Sequence, residues 1–297
     1  MSKSIKLTHL FGIAAFAMTA FTPVTTSAQE EQIGIDLGKY RINIAGRQRM
    51  LSQRMAKAIC FIELGHEIPM HHKILEQDAK TFDDTLHILR DGGGEHNLEA
   101  EHDRRILAKL ELLFSDWKPF AEEIKTVIAT DEVSSEMEEH IIDENLSILR
   151  DMNEAVSMIE QEYANPHTLD MANAVTLNII ARQRMLAQKA AKDFCYVATS
   201  HSVEEERADL TATRNLFAAS LGAVINGYEP LGIAPPPSEE IRLQLEIVAE
   251  IWDPMSEIFK HVSDGSVPTD EEVTFIAIQS THLQDAMNEA VQMYVVH

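Results

Sequence analysis

The chain repeats itself at a fixed distance of 135 residues. Residues 42–60 read INIAGRQRMLSQRMAKAIC, and residues 177–195 read LNIIARQRMLAQKAAKDFC. The same offset relates further pairs along the chain: Trp117 and Trp252, and the segments MNEAVSM from Met152 and MNEAVQM from Met287. Because these matches extend over the whole unit without a net insertion or deletion, they indicate one duplicated unit.

Each copy of this unit has the pattern of four helices. Apolar residues recur at helical spacing, and strand-like alternation is not sustained. Turn residues divide the chain into eight predicted helices, at 32–65, 72–90, 96–129, 132–163, 168–200, 203–226, 238–263 and 270–296. Antiparallel helices with short connections form a four-helix bundle. We therefore predict an all-α protein of two tandem up-and-down bundles, packed as a pseudo-dimer, with domains 29–164 and 165–297 joined near Asn165-Pro166.

The first 28 residues have the layout of a secretory signal peptide. Two lysines precede an apolar run from Leu10 to Phe21, and small residues follow up to Ala28. The apolar run is shorter than the roughly 20 residues that span a bilayer. We exclude residues 1–28 from the fold and expect a periplasmic protein without a further membrane span, with an uncleaved signal anchor as the alternative.

The chain is strongly acidic, with 48 acidic against 25 basic residues and a formal net charge of −23. Such a surface repels nucleic acid and anionic lipid, so we expect no nucleic-acid partner. It could attract a cationic protein partner. Because positive charge is scarce, any cluster of arginines is of interest.

One stripe of the first helix of each repeat carries the candidate site. At helical spacing Gly46, Arg49 and Gln53 share a face, and Arg184 and Gln188 occupy the equivalent positions in the second repeat. If the two first helices pack in parallel, the two arginines face each other and repel unless an anion lies between them. The guanidinium group suits oxyanions, and the two glutamines could complete the shell. Alternatively, the arginines pair with acidic residues.

The two cysteines of the chain fall on the same stripe. Cys60 and Cys195 each follow an arginine by 11 residues, about three helical turns. A disulfide between them would join the two repeats, and two separate buried thiols are the alternative.

No residue pattern indicates catalysis, a cofactor or a metal. Among 13 histidines, His66, His71 and His72 form the densest group, but their spacing matches no known metal site. No CxxCH motif for haem attachment occurs. We expect a protein that is not an enzyme.

The repeated segments AGRQRMLSQRMAK, from Ala45 to Lys57, and ARQRMLAQKAAK, from Ala181 to Lys192, resemble a known family. It is the periplasmic sensing domain of PilJ, the type IV pilus methyl-accepting chemotaxis transducer, which is related to the sensor domains of NarX-type nitrate and nitrite sensor kinases. In the nitrate sensors this motif lies on the first helix of a homodimer, where one arginine from each subunit binds the anion.

By motif position, the resemblance implies that Arg49 and Arg184 bind a small anion near Gly46, within a dimer built from one chain. It also implies sensing through a protein partner, such as a membrane receptor or a pilus or chemosensory component. A helical adaptor that binds no ligand is the alternative function. The repeats depart from each other where Gly46 becomes Ala181 and Arg54 becomes Lys189, so the two halves of the site are not equivalent.

Overall fold

The structure, a computed structural model, describes residues 27–163, 171–199 and 203–296. Eight α-helices make up most of it: α1 (Ser27–Glu63), α2 (Ile68–Asp91), α3 (Arg104–Thr130), α4 (Ser135–Tyr163), α5 (Met171–Thr199), α6 (Val203–Asn226), α7 (Glu239–Ser263) and α8 (Asp270–Val296). A short 3-10 helix, Glu229–Leu231, lies between α6 and α7. The predicted all-α fold is confirmed. The signal-peptide prediction falls almost entirely, and the junction near Asn165-Pro166 entirely, outside the described residues.

The helices form two four-helix bundles. In the first bundle α1 packs against α2 and α4, and α3 closes the ring between them. In the second bundle α5 packs against α6 and α8, and α7 closes that ring. The contact between α1 and α5 joins the bundles and is more extensive than that of any other pair of helices. The first helices of the two repeats therefore form the centre of the molecule.

The repeated aromatic residues occupy equivalent places in the two cores. Trp117 packs on Phe82 with ring centroids 4.5 Å apart, and Trp252 packs on Phe217 at 3.9 Å. All four side chains are buried. Both third helices continue through their internal prolines, so each tryptophan lies within an unbroken α3 or α7.

The starts of α1, α2 and α3 differ from the predicted ones, and α1 begins at Ser27 and not at 32. α3 begins at Arg104 and not at 96, because Gly93 and Leu98 form a short β-bridge and Asp103 caps the helix by accepting from the backbone N–H groups of two following residues. Gly92 has a φ of +83°, and a Cβ atom there would lie 2.5 Å from the Leu98 carbonyl oxygen. α2 begins at Ile68, earlier than predicted, because a proline is well tolerated in the first turn of a helix.

Within the residues that the structure describes, no helix has the length and apolar character needed to cross a membrane.

Candidate functional site

Helices α1 and α5 lie side by side and run in the same direction. Cys60 of α1 and Cys195 of α5 form a disulfide, with their Cα atoms 6.1 Å apart. Further towards the helix starts, Arg184 Nη2 donates to Asn43 Oδ1 at 3.4 Å. Since both residue numbers increase together along the contact, like residues of the two repeats meet. We call this contact between α1 and α5 the seam.

Arg49 and Arg184 are both buried in the seam, with 8% and 6% of their surface exposed. Each Nε points to the carbonyl oxygen three residues earlier, Gly46 O or Ala181 O, at 3.4 Å. The remaining contacts differ, because Arg49 Nη1 reaches Asn153 Oδ1 of α4 in its own bundle, whereas Arg184 reaches Asn43 in the other bundle. At 3.4 Å all of these hydrogen bonds are long and weak.

The charges of the two arginines are at most partly balanced by carboxylates of the described residues, since Glu160 attracts Arg49 without forming a salt bridge with it. Among the described residues, no carboxylate oxygen forms a salt bridge with Arg49 or Arg184 within 4.0 Å, so the ion-pair alternative finds no partner there. Burial, together with the charges of Arg47 and Arg49, lowers the pKa of Arg184 to about 10. Burial also lowers the pKa of Arg49, against the attraction of Glu160. With a pKa of about 10, the Arg184 guanidinium group remains protonated at neutral pH.

Two further arginines belong to this group and were missed from the sequence. Arg47 and Arg182 lie two residues before the buried pair and are exposed. Arg47 follows Asn43 by one helical turn, on the face of α1 that Arg184 contacts. Arg182 contributes to lowering the pKa of Arg49 from across the seam. The repeated triplet Arg-Gln-Arg was the sequence signal that could have revealed them.

The two glutamines of the predicted shell are completely buried beside the arginines, but their amide N–H groups point elsewhere. Gln53 Nε2 donates to Asn145 Oδ1 of α4 at 2.9 Å, and Gln188 Nε2 donates to the Ser280 carbonyl oxygen of α8 at 3.0 Å. Within the described chain, their Oε1 atoms have no hydrogen-bond partner. In this conformation the glutamines tie the seam to α4 and α8 and do not donate to a ligand.

Gly46 lies under the Arg49 side chain. A Cβ atom at Gly46 would be 3.5 Å from Arg49 Nη2, which is an ordinary van der Waals contact. The second repeat carries Ala181 at this position, with Arg184 folded back in the same way. The small side chains thus let each arginine lie flat against its own helix.

Two cavities of the described surface lie away from the arginine pair. One is lined by Arg207, Thr211 and Asp264 between α6 and α7, and the other by Arg41, Glu101 and Tyr163 beside the first half of α1 and the end of α4. In the second cavity Arg41 already pairs with Glu101 at 3.3 Å. We give more weight to the arginines of the seam, because their charge lacks such a partner.

The three histidines singled out in the sequence do not converge. His71 is buried and stacks on Phe61, His66 contacts Thr274 and Asp270 of the second bundle, and His72 pairs with Asp131. Over the described ranges, no group of three or more metal-ligating side chains is placed to hold a metal ion.

The fold and the seam define a tandem helical-bundle protein whose two bundles meet as the subunits of a dimer would. The chain belongs to the PilJ family, because the family model described as "Type IV pili methyl-accepting chemotaxis transducer N-term" matches residues 39–139 and 171–269. The resemblance stated from the sequence is thus confirmed, in two tandem copies. The family is that of the sensory N-terminal domain of a chemotaxis transducer. Among curated proteins, none matches the chain significantly.

The family matches cover the first three helices of each repeat. They end at residue 139, early in α4, and at residue 269, directly before α8. Asn153, which contacts Arg49, lies in the repeated MNEAV segment outside the matches. The surroundings of Arg49 thus include a residue of α4 that lies beyond the matched range.

Proposed function

We propose that this protein is a periplasmic sensor that holds a small oxyanion, of the nitrate or nitrite kind, between Arg49 and Arg184 and passes the signal to a protein partner. The observation that carries the proposal is the pair of buried guanidinium groups on facing helices, without a salt-bridging carboxylate among the described residues. Membership of a family of transducer sensory domains supports the sensory role.

The physical argument rests on the cost of burying charge. A buried charged group is costly unless it is paired or well hydrogen-bonded. Within the described part of the chain, each guanidinium group makes two long hydrogen bonds to neutral acceptors, and the two groups repel each other. An oxyanion between them would accept charge-assisted hydrogen bonds from both forks and cancel the repulsion.

The periplasmic location is supported by two independent features. The first 28 residues have the charge and apolar pattern of a signal peptide. The disulfide between Cys60 and Cys195 is of the kind that persists in oxidising compartments and is rare in the cytosol. A protein released there would act through a partner, and the acidic surface suits a cationic one.

The alternative function is a helical adaptor that binds no ligand. The existing contacts of the arginines favour it, since Asn43 and Asn153 already accept hydrogen bonds from them and the two cavities named above lie elsewhere. In that case the arginines would serve only to hold α1, α4 and α5 in place.

Isothermal titration of the protein lacking residues 1–28 with nitrate, nitrite and sulfate distinguishes the two functions. We expect saturable heat with at least one anion, and its loss in an Arg49→Ala/Arg184→Ala variant that retains its helical circular-dichroism signal. A matched Lys73→Ala/Lys118→Ala variant removes two exposed cations far from the seam and should bind as the wild type does. Absence of heat with all three anions would contradict the proposal and leave the adaptor.

A further inference from the structure

The seam is bonded unevenly along its length. Near the ends of α1 and α5 the disulfide joins the bundles, and three polar contacts cross between them close by. These are Lys57 Nζ to Ser280 Oγ at 2.9 Å, Thr199 Oγ1 to Glu138 Oε1 at 3.1 Å, and His66 to Thr274 Oγ1 at 2.9 Å, which Asp270 extends. The stripe residues here, Ala56, Cys60, Ala191 and Cys195, are completely or almost completely buried. This part of the seam is closed and covalently fixed.

Towards the helix starts the seam is loose. Where the side chains of this half are described, a hydrogen bond from Arg184 to Asn43 crosses between the bundles, and at 3.4 Å it is longer than the contacts near the disulfide. Gly46 and Ala181 are partly exposed, in contrast to their counterparts near the disulfide. The repulsion among Arg47, Arg49 and Arg184 acts at the same level and opposes approach of the two helices.

The loose half lies towards the end of the molecule where α1 and α5 begin and α4 and α8 finish. Helices alternate in direction within each bundle, so the starts of α1 and α5 and the ends of α4 and α8 lie at the same end. A movement of the helix starts is therefore transmitted directly to this end.

We propose that the seam is a clamp hinged at the disulfide between Cys60 and Cys195, and that an anion bound between Arg49 and Arg184 draws the starts of α1 and α5 together. This inference rests on the proposed anion site and describes how a partner would detect that the site is occupied. The partner would recognise the closed arrangement at the end formed by the starts of α1 and α5.

The spacing along α1 amplifies the movement. At a rise of about 1.5 Å per residue, Arg49 lies about 16 Å from the hinge at Cys60, and Lys39 lies about 31 Å from it. A closure of about 1 Å at the arginines thus becomes about 2 Å at Lys39, if the helices move as rigid rods. The covalent bond at Cys60 prevents the two helices from separating at the other end instead.

Pulsed electron-electron spin-resonance distances between nitroxide labels test the clamp. Lys39→Cys and Asn178→Cys place labels at exposed positions on the loose parts of α1 and α5. We expect a saturating concentration of the anion that gives titration heat to shorten this distance by about 2 Å or more and to narrow its distribution. A control pair, Lys73→Cys and Ala208→Cys, lies on α2 and α6 near the fixed end and should not respond.

A charge-reversed variant tests the same movement without a ligand. In Arg184→Glu the new carboxylate faces Arg49, so attraction replaces repulsion and the distance between the labels on α1 and α5 should shorten in anion-free buffer. If this variant closes but no anion binds the wild type, the clamp stands and the proposed ligand fails.

Two outcomes would overturn the clamp. One is anion binding in the calorimeter with an unchanged distance between the labels on α1 and α5, which would leave the anion site in place as a static one. The other is an equal response of the two label pairs, because a hinge requires that the fixed end stay still. In the Cys60→Ser/Cys195→Ser variant, by contrast, the distribution of the control pair should broaden, since the hinge has then been removed.

Discussion

The two repeats have equivalent buried apolar residues, which we call the apolar frame, but they differ in their buried polar groups. Phe82 and Trp117 in the first bundle have Phe217 and Trp252 as counterparts, each buried and in ring contact. Packed helices tolerate little change in the volume of such residues. The duplicated frame therefore remains recognisable at an offset of 135 residues, which is also the separation of the two cysteines of the disulfide.

The buried ion pair beside the seam is formed by different positions in the two bundles. In the first bundle Arg54 of α1 pairs with Asp78 of α2 at 3.4 Å. In the second bundle Lys189 pairs with Asp193, one turn further along the same helix, at 2.8 Å, and Thr213 takes the place of Asp78. The buried carboxylate has thus moved from one helix to the other while a cation remained opposite it. The comparison teaches that the positions of this ion pair can diverge as long as its buried carboxylate keeps a cation beside it.

A second polar difference concerns the start of α2 and α6. His71 in the first bundle is buried against Phe61, and burial together with nearby cations lowers its pKa to about 2. Its counterpart Glu206 is buried in the second bundle near Tyr196, and burial raises its pKa to about 7. One bundle thus buries a base that resists protonation, and the other buries an acid that resists ionisation.

The largest expected effect tests whether the two frames are equivalent. We expect Phe82→Ala and Phe217→Ala each to lower the free energy of unfolding by about 4 kcal/mol, because each removes a completely buried ring and leaves a cavity. Urea unfolding followed by circular dichroism measures both losses. A loss below about 1 kcal/mol in one variant alone would contradict equal frames. The Phe→Leu pair serves for the same comparison if the alanine variants do not accumulate.

The next largest effect is on the pH dependence of stability, which we expect to differ between the two bundles. The pKa of His71 is lower in the folded than in the unfolded state, so its burial costs stability as pH falls below about 6.5. The pKa of Glu206 is higher in the folded state, so its burial costs stability as pH rises from about 4.5 to about 7. Each slope approaches about 1.4 kcal/mol per pH unit within its window.

Melting temperatures of His71→Gln and Glu206→Gln between pH 4 and pH 8 measure this difference. We expect the first variant to gain relative to the wild type at pH 4 to 5, and the second to gain at pH 7 to 8. The groups that face Glu206, namely Lys192, Asp193, Lys189 and Asp209, and those that face His71, namely Lys57, Arg54 and His66, stay unchanged in the variants. Identical pH profiles of all three proteins would show that neither burial matters.

The smallest expected effect is that of a substitution which makes the first repeat more like the second. Gly46→Ala introduces the methyl group that Ala181 already carries, at an ordinary contact distance from Arg49. We expect a gain of about 0.5 to 1 kcal/mol in the free energy of unfolding, because alanine is the better helix former. Anion titration should be unchanged. A loss of stability would show that Arg49 needs the full space of a glycine.

Much of the fold followed from local patterns in the sequence, whereas the starts of α2 and α3 did not. The segment from Glu95 to Asp103 is rich in residues that also favour helices, so the pattern extended α3 backwards to 96. The β-bridge at Gly93 and the cap at Asp103 end that extension, and both depend on contacts that the helical period does not contain. The opposite error arose at α2, whose predicted start at 72 was too late because Pro69 lies within its first turn.

The sequence predicted which residues of the first helices share a face, but not what surrounds them. The stripe with Arg49, Arg184 and the two cysteines could be read from a spacing of three and four residues, because a helix fixes which residues share a face. Arg47 and Arg182 were missed, since their proximity to the buried arginines arises only across the contact of α1 with α5. The hydrogen bonds that the amides of Gln53 and Gln188 donate likewise depend on the positions of α4 and α8.

By itself the sequence determined that this protein is a duplicated helical bundle, because the apolar period and the offset of 135 residues are properties of the chain alone. Only the tertiary structure decided that Arg49 reaches Asn153 in its own bundle while Arg184 reaches Asn43 in the other, and that the seam is fixed at one end and loose at the other. The physical reason is that contacts between distant residues depend on how helices pack and which rotamers fit, and equal sequence motifs leave both of these open.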